Sequence, residues 1–159
     1  MSLRNEIQNA VVMPKVECNI VMCGDAGVGS STFIERVIYN TSNGIFATNG
    51  HSVIGQLYYE HKGVKACANV TAFPAGFDKS IFPNFCKVLG DPNLIIVMFS
   101  LDSQESLDNV KVHIQSMCAI LKDIPVIVIG NKSDLESPSV TEEKITEARV
   151  DWPDGTAYI

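Results

Sequence analysis

Eight residues, Gly24-Asp25-Ala26-Gly27-Val28-Gly29-Ser30-Ser31, constrain the fold more than any other part of the chain. They follow a run from Val16 to Cys23 that starts with alternation and becomes continuously apolar, as a strand buried on both faces does. They precede a stretch in which Phe33, Ile34, Val37 and Ile38 share one helical face. A glycine-rich turn between a buried strand and a helix can aim successive backbone N–H groups at an anion, and the helix N-terminus behind it adds partial positive charge. The pattern nearly matches the phosphate loop G-x-x-x-x-G-K-[ST]. Gly24, Asp25, Ala26, Gly27, Val28, Gly29, Ser30, Ser31 and Thr32 are thus the candidate phosphate-binding residues, with Ser31 where a magnesium-binding hydroxyl belongs. Ser30 occupies the slot of the lysine that supplies a point charge to terminal phosphates. Taken alone, the loop can also be read as a glycine-rich turn with no ligand, the weaker of the two readings.

Downstream, strand-length apolar runs alternate with helical periodicities. Thr41 to Gly50 is rich in Asn, Ser, Thr and Gly and reads as a loop. Val53 to Glu60 and Val64 to Phe73, separated by His61-Lys62-Gly63, read as an antiparallel hairpin. A connection bearing Pro and Phe leads to a buried strand from Leu94 to Ser100. Asp102 with Glu105 gives a capping-box-like start to a helix carrying Leu107, Val110, Ile114, Met117 and Leu121 on one face. Pro125 to Gly130 is another buried strand, and a short helix is expected from about Thr141 to Arg149. The order predicts an α/β fold, a mostly parallel sheet with one antiparallel edge strand. Residues 1–14 read as a tail and 15–159 as one domain, a length suited to a single core.

Composition narrows the function classes. With 12 Lys+Arg against 18 Asp+Glu the formal charge is −6, which argues against a broad nucleic-acid-binding face. No apolar run approaches the ~20 residues of a membrane helix. Neither a secretory signal nor a lipid-anchor motif is visible, so no direct membrane anchor and a cytoplasmic location are expected. Five cysteines, Cys18, Cys23, Cys67, Cys86 and Cys118, with no C-x-x-C pair fit a reducing compartment and no zinc site.

A second motif, Asn131-Lys132-Ser133-Asp134, directly follows a buried strand. An N-K-x-D pattern there suits guanine: the carboxylate accepts from N1–H and the exocyclic amine, and the lysine stem packs over the ring. Asn131, Lys132 and Asp134 complete the candidate nucleotide-binding set. Phosphate loop, hairpin, strand, long helix, strand and N-K-S-D in this order resemble a Ras-superfamily small GTPase over residues ~15–159, with Val126 to Leu135 especially similar to the Rab/Ras pattern. The resemblance implies a P-loop NTPase-type doubly wound sheet with nucleotide at the C-terminal strand ends. It also places the family's S-A element and C-terminal helix beyond Ile159, so a truncated C-terminal strand and helix are expected.

The departures from the family pattern set the functional expectation. At the family's D-x-x-G element this chain has Phe73-Pro74-Ala75-Gly76, so Phe73 replaces the magnesium aspartate. Phe77 stands where a water-orienting glutamine is usual, and the first-switch threonine aligns with Val53 or the adjacent Ser52. Phosphoryl transfer relies on positioning and electrostatics, so these losses with Ser30 leave little machinery. The expectation is a pseudo-GTPase: a protein-interaction domain with no catalytic residues, weak or absent GTP or GDP binding, and no magnesium beyond a weak contact at Ser31. A slowly cycling GTPase with divergent chemistry is the alternative. Protein partners are expected through Phe77 to Phe85, where Phe82, Phe85 and Ile81 read either as core or as a hydrophobic docking surface. Asp25 reads as a loop-stabilising acceptor, and His51, His61 and His113 as solvated or packed side chains.

Overall fold

Alternate residues of the central strands go to opposite faces, and this accounts for their unbroken apolar sequence. The computed structural model describes residues 16–40, 44–48, 52–78, 80 and 82–159. Val21, Cys23, Ile95, Val97 and Phe99 enter one buried cluster, while Met22, Ile96 and Met98 enter a second on the other face. The strands are β1 (Val16–Gly24), β2 (Gly44–Thr48), β3 (Val53–His61), β4 (Val64–Ala72), β5 (Leu94–Ser100), β6 (Val126–Asn131) and β7 (Ala157–Tyr158). The helices are α1 (Ser30–Asn40), α2 (Phe82–Leu89), α3 (Gln104–Asp108), α4 (Val110–Ile120) and α5 (Glu142–Arg149). They build one sheet of order β2-β3-β4-β1-β5-β6-β7. Ile34 and Ile38 of α1 fill the second cluster, and Phe82, Leu107, Val110, Ile114 and Ile145 from the other helices fill the first. Helices on both faces of a mostly parallel sheet make it doubly wound, as expected.

Four sequence expectations need correction. The stretch from Thr41 to Gly50 is not all loop, because Gly44–Thr48 pairs antiparallel with β3, Gly44 opposite Leu57 and Thr48 opposite Val53. The strand that opposes the others is therefore β3, which lies inside the sheet with β2 at the edge. Glycine at position 55 lets β3 approach α1: an added Cβ would sit 2.5 Å from Ile38 Cδ1. The connection bearing Pro and Phe contains α2, with Pro83 in the first turn, where a missing N–H costs nothing. The long helix is split at Asn109 into α3 and α4, and its N-cap is Ser103, whose hydroxyl accepts from the Ser106 N–H at 3.2 Å, not Asp102. Residues 1–14, His51 and Ile81 lie outside the described residues, so the expected tail and those two side chains carry no structural statement. Among the described residues no helix is long and apolar enough to cross a membrane.

Candidate functional site

The glycine-rich loop leaves the C-terminal end of β1 and turns into α1 at Ser30. Gly27 (φ 79°) and Gly29 (φ 91°) occupy the left-handed region that other residues rarely adopt, which turns the backbone around Val28. Val28 itself is buried, anchoring the loop in the α1-side core. The α1 N-terminus follows directly, its first turn closed by the Phe33 N–H on Gly29 O at 2.9 Å. Ser30 is half-buried, while Ser31 and Thr32 are exposed.

The second motif lies against the first. Asn131 ends β6, and its Nδ2 donates to Val28 O at 2.8 Å across 103 residues of sequence. A Cβ at Gly29 would stand 2.5 Å from that same nitrogen, so only glycine permits the contact. Lys132, at φ 65°, places Nζ 2.8 Å from Asp102 Oδ2. The Ser100 hydroxyl donates to Oδ1 of the same carboxylate. The Lys132 hydrogen bond, then that of Ser100, hold the Asp102 carboxyl below the ordinary carboxylate range. Asp134 is exposed on the loop beyond. Asp25 has both oxygens engaged, one 2.8 Å from His113 Nε2 and the other 2.8 Å from Asn109 Nδ2. It is thus an acceptor, as expected, but His113 is neither simply solvated nor simply packed.

Where a metal and terminal phosphate would sit, the chemistry changes. A cavity of about 180 Å³ is lined by Ser30, Ser31, Thr48, Ser52, Val53, Ala72, Phe73 and Pro74. Both candidates for the first-switch position, Ser52 and Val53, line it. None of these side chains is charged, whereas magnesium is held by carboxylates with well-placed oxygens. Phe73 is 5 % exposed, with ring centroids of Phe77, Phe85 and Phe82 at 4.2, 4.7 and 5.4 Å. A phenyl committed to a core cluster donates nothing to a cation, and the side-chain oxygens lining the cavity are the hydroxyls of Ser30, Ser31, Thr48 and Ser52, with no carboxylate among them. The expectation of a docking surface through Phe77 to Phe85 is corrected at its centre. Phe82 is wholly buried, and Phe77 and Phe85 are half-buried against the same cluster. A further cavity of about 210 Å³ is lined by the amides of Asn19, Gln56 and Asn69 with Phe85 and Cys86, and contains none of the candidate nucleotide-binding residues.

The structure therefore brings Gly24 to Thr32 together with Asn131 and Lys132, and adds Asp102, Asn109 and His113, which sequence reasoning had not joined to the site. Nothing in their spacing could have shown it, because each contact spans at least 30 residues. A sequence model of the Ras family matches residues 19–155. The chain belongs to the Ras family. That family typically binds GTP or GDP with magnesium. Among similar proteins are the NF-kappa-B inhibitor-interacting Ras-like protein 2 of Gallus gallus, 25% identical, and that of Homo sapiens, 24% identical. Each alignment runs over 124 residues, 75% of this chain and 63% of the relative, so the match spans less than two thirds of those proteins. The GTP-binding protein RHO1 of Candida albicans is 38% identical over 58 residues, 36% of this chain and 29% of its own length.

Proposed function

We propose that this Ras-family chain acts as a pseudo-GTPase: a protein-interaction module that binds guanine nucleotide weakly, if at all, and does not hydrolyse it at a useful rate. The observation that carries the reading is Phe73, buried in an aromatic cluster at the family's metal-carboxylate position. Without that carboxylate, and with Ser30 in the lysine slot, the charge of a terminal phosphate has no side-chain partner. Each lost charge-assisted contact is worth about 1.5–3 kcal/mol, or one to two decades of affinity. The alternative, a slowly cycling GTPase, draws on the Asn131–Val28 tie, which keeps the base-side motif against the loop.

The names of the vertebrate relatives state an interaction with an NF-kappa-B inhibitor, and this favours a protein partner for the present chain as well. The surface offered is the exposed rim of the second-switch segment, Pro74 to Gly76 with Pro83 and Asn84, and not the phenylalanines behind it. The deciding experiment is an equilibrium titration with labelled GDP and GTP, with and without magnesium, together with phosphate release at saturating GTP. We expect affinities of micromolar or poorer, about −8 kcal/mol at best. GTP and GDP should bind alike, and magnesium should leave both unchanged. GTP bound tenfold tighter with magnesium, or phosphate release at the unassisted Ras rate of about 4 × 10⁻⁴ s⁻¹, would establish the cycling enzyme instead.

A further inference from the structure

Three primary amides stand in a row across the sheet. Asn69 of β4 lies between Asn19 of β1 and Gln56 of β3 in the strand register. Gln56 Nε2 donates to Asn69 Oδ1 at 2.9 Å, Asn69 Nδ2 to Asn19 Oδ1 at 2.9 Å, and Asn19 Nδ2 to Asp91 O at 3.3 Å. Donation runs one way, so the carbonyls of Asn69 and Asn19 are taken while each nitrogen keeps a second hydrogen. Two residues along each strand, the next row is Val21, Thr71 and Ile54. Thr71 is 5% exposed, and its hydroxyl has no hydrogen-bond partner among the described residues. Buried hydroxyls are as a rule paired. A cross-strand amide ladder is accounted for as sheet structure, but an unpaired buried hydroxyl beside it is not.

Both rows line the hollow of about 210 Å³, whose other walls are Phe85 and Cys86 of α2 and Gly90 and Pro92 of the turn that follows. Gly90, at φ 86°, brings that turn close: a Cβ there would stand 2.6 Å from Asn19 Nδ2. The volume is below the ~300 Å³ of drug-sized pockets and suits a smaller molecule. Val21, Ile54, Phe85 and Pro92 make much of the wall apolar, and the uncommitted polar atoms are mainly donors, the amide hydrogens and the Thr71 hydroxyl. No charged side chain lines the hollow. Burial, then the nearby Asp91 carboxylate, pushes the Cys86 thiol up, so the surroundings disfavour an anion as well. A neutral acceptor is the chemistry that remains.

We propose that this hollow is a binding site for a small neutral molecule that carries a carbonyl oxygen on an apolar body. The carbonyl accepts from the Thr71 hydroxyl and from an amide hydrogen of the row, and the body rests on Val21, Ile54 and Phe85. The site shares no residue with the anion loop or the N-K-S-D motif, so it stands or falls apart from nucleotide binding.

The test titrates the isotope-labelled full chain with acetanilide, a neutral carbonyl probe, and in parallel with butylbenzene and phenylacetate. All three have about ten non-hydrogen atoms and differ in the polar end. The side-chain amide resonances of Asn19, Gln56 and Asn69 should shift saturably with acetanilide, at a Kd of about 1 mM, which fits a ligand of this size. Butylbenzene, which lacks the acceptor, and phenylacetate, which carries a charge, should each bind at least about fivefold more weakly. Thr71→Val keeps the shape of the side chain and removes its hydroxyl. In that variant acetanilide affinity should fall about three- to tenfold, while the urea midpoint holds or rises. Equal binding of butylbenzene would make the hollow an apolar void, and tightest binding of phenylacetate would make it an anion site. No saturable shift with any probe would leave it a hydrated gap, and each of these three results overturns the proposal. A lowered midpoint with unchanged affinity in Thr71→Val would overturn the role of the hydroxyl.

Discussion

The two ends of the anion loop have opposite fates. On the base side, polar side chains from distant parts of the chain converge: Asn131 on Val28, Lys132 on Asp102, and His113 and Asn109 on Asp25. On the side where the family's metal carboxylate would stand, packing takes the larger part. Phe73 joins Phe77, Phe82 and Phe85 in the core, and hydroxyls and apolar groups line what is left. A fold of this type does not need its metal site to hold the loop. The loop is kept by Val28 in one core and by hydrogen bonds to β6 and α4, none of which passes through the metal position. A lining without a carboxylate is thus compatible with a well-formed loop, and the buried Phe73 ring adds apolar burial of its own.

The largest expected effect comes from reversing that replacement. Phe73→Asp inserts a carboxylate among phenyl rings and removes the ring that holds them together, which should destabilise the fold by about 3 kcal/mol or more. Ser31→Ala, at an exposed hydroxyl on the same side, should change stability by less than about 0.5 kcal/mol. Denaturant unfolding of the two variants tests the contrast. Equal midpoints for wild type and Phe73→Asp would show that the metal side is not core. Next in size is Asn131→Ala on the base side. It deletes the donor to Val28 O and leaves that carbonyl short of a partner, a loss of about 1–3 kcal/mol that the same unfolding measurement reads. Unchanged stability would mean that the loop does not lean on β6. Ser30→Lys should affect nucleotide more than fold: GDP affinity should rise by up to about tenfold without any gain in magnesium dependence, because no carboxylate comes with the lysine. Magnesium dependence gained from Ser30→Lys alone, read by GDP titration with and without the ion, would reveal a metal ligand outside the residues considered.

How much of this could be read in the sequence follows from burial. Strands β1, β5 and β6 are apolar on both faces, so their sequences announce them, and the glycine-rich loop and N-K-S-D motif stand at their ends. Strand β2 has no such signature. It is short, at the sheet edge, flanked by Asn, Ser and Thr, and its Ile45 is 57% exposed. Helix α2 was hidden by Pro83, which reads as a breaker although it is harmless in a first turn. The candidate loop residues were legible because a glycine-rich turn between a buried strand and a helix is a run of neighbouring residues. The struts at Asn109, His113 and Asp102 were not, because tertiary contacts over 84, 88 and 30 residues leave no local pattern. Asp102 even carried a false signal: its spacing to Glu105 suggested a cap, yet Ser103 caps α3 and Asp102 turns to Lys132.

The smallest expected effect separates the two sides by pH. The Lys132 and Ser100 hydrogen bonds lower the Asp102 carboxyl in the folded protein, whereas in the unfolded chain it titrates near the ordinary value of about 3.9. A lowered folded value means that the unfolded state binds the proton more readily, so stability rises with pH through this interval. The contribution is fully present above the unfolded value and is lost as pH falls through the folded one. It acts below about pH 4, in the opposite direction to an effect that would need a protonated histidine. Asp102 lies at the surface with its partner Lys132 half-exposed, so the effect is modest and weakens further with salt. Urea midpoints measured from pH 5 down to pH 3 should therefore fall less steeply in Asp102→Asn than in the wild type, and the difference should shrink in high salt. Ser31→Ala, on the metal side, should reproduce the wild-type slope. If Asp102→Asn follows it too, the Lys132–Asp102 pair contributes nothing to the folded base side, and the Asn131–Val28 bond alone carries the contrast between the two ends of the loop.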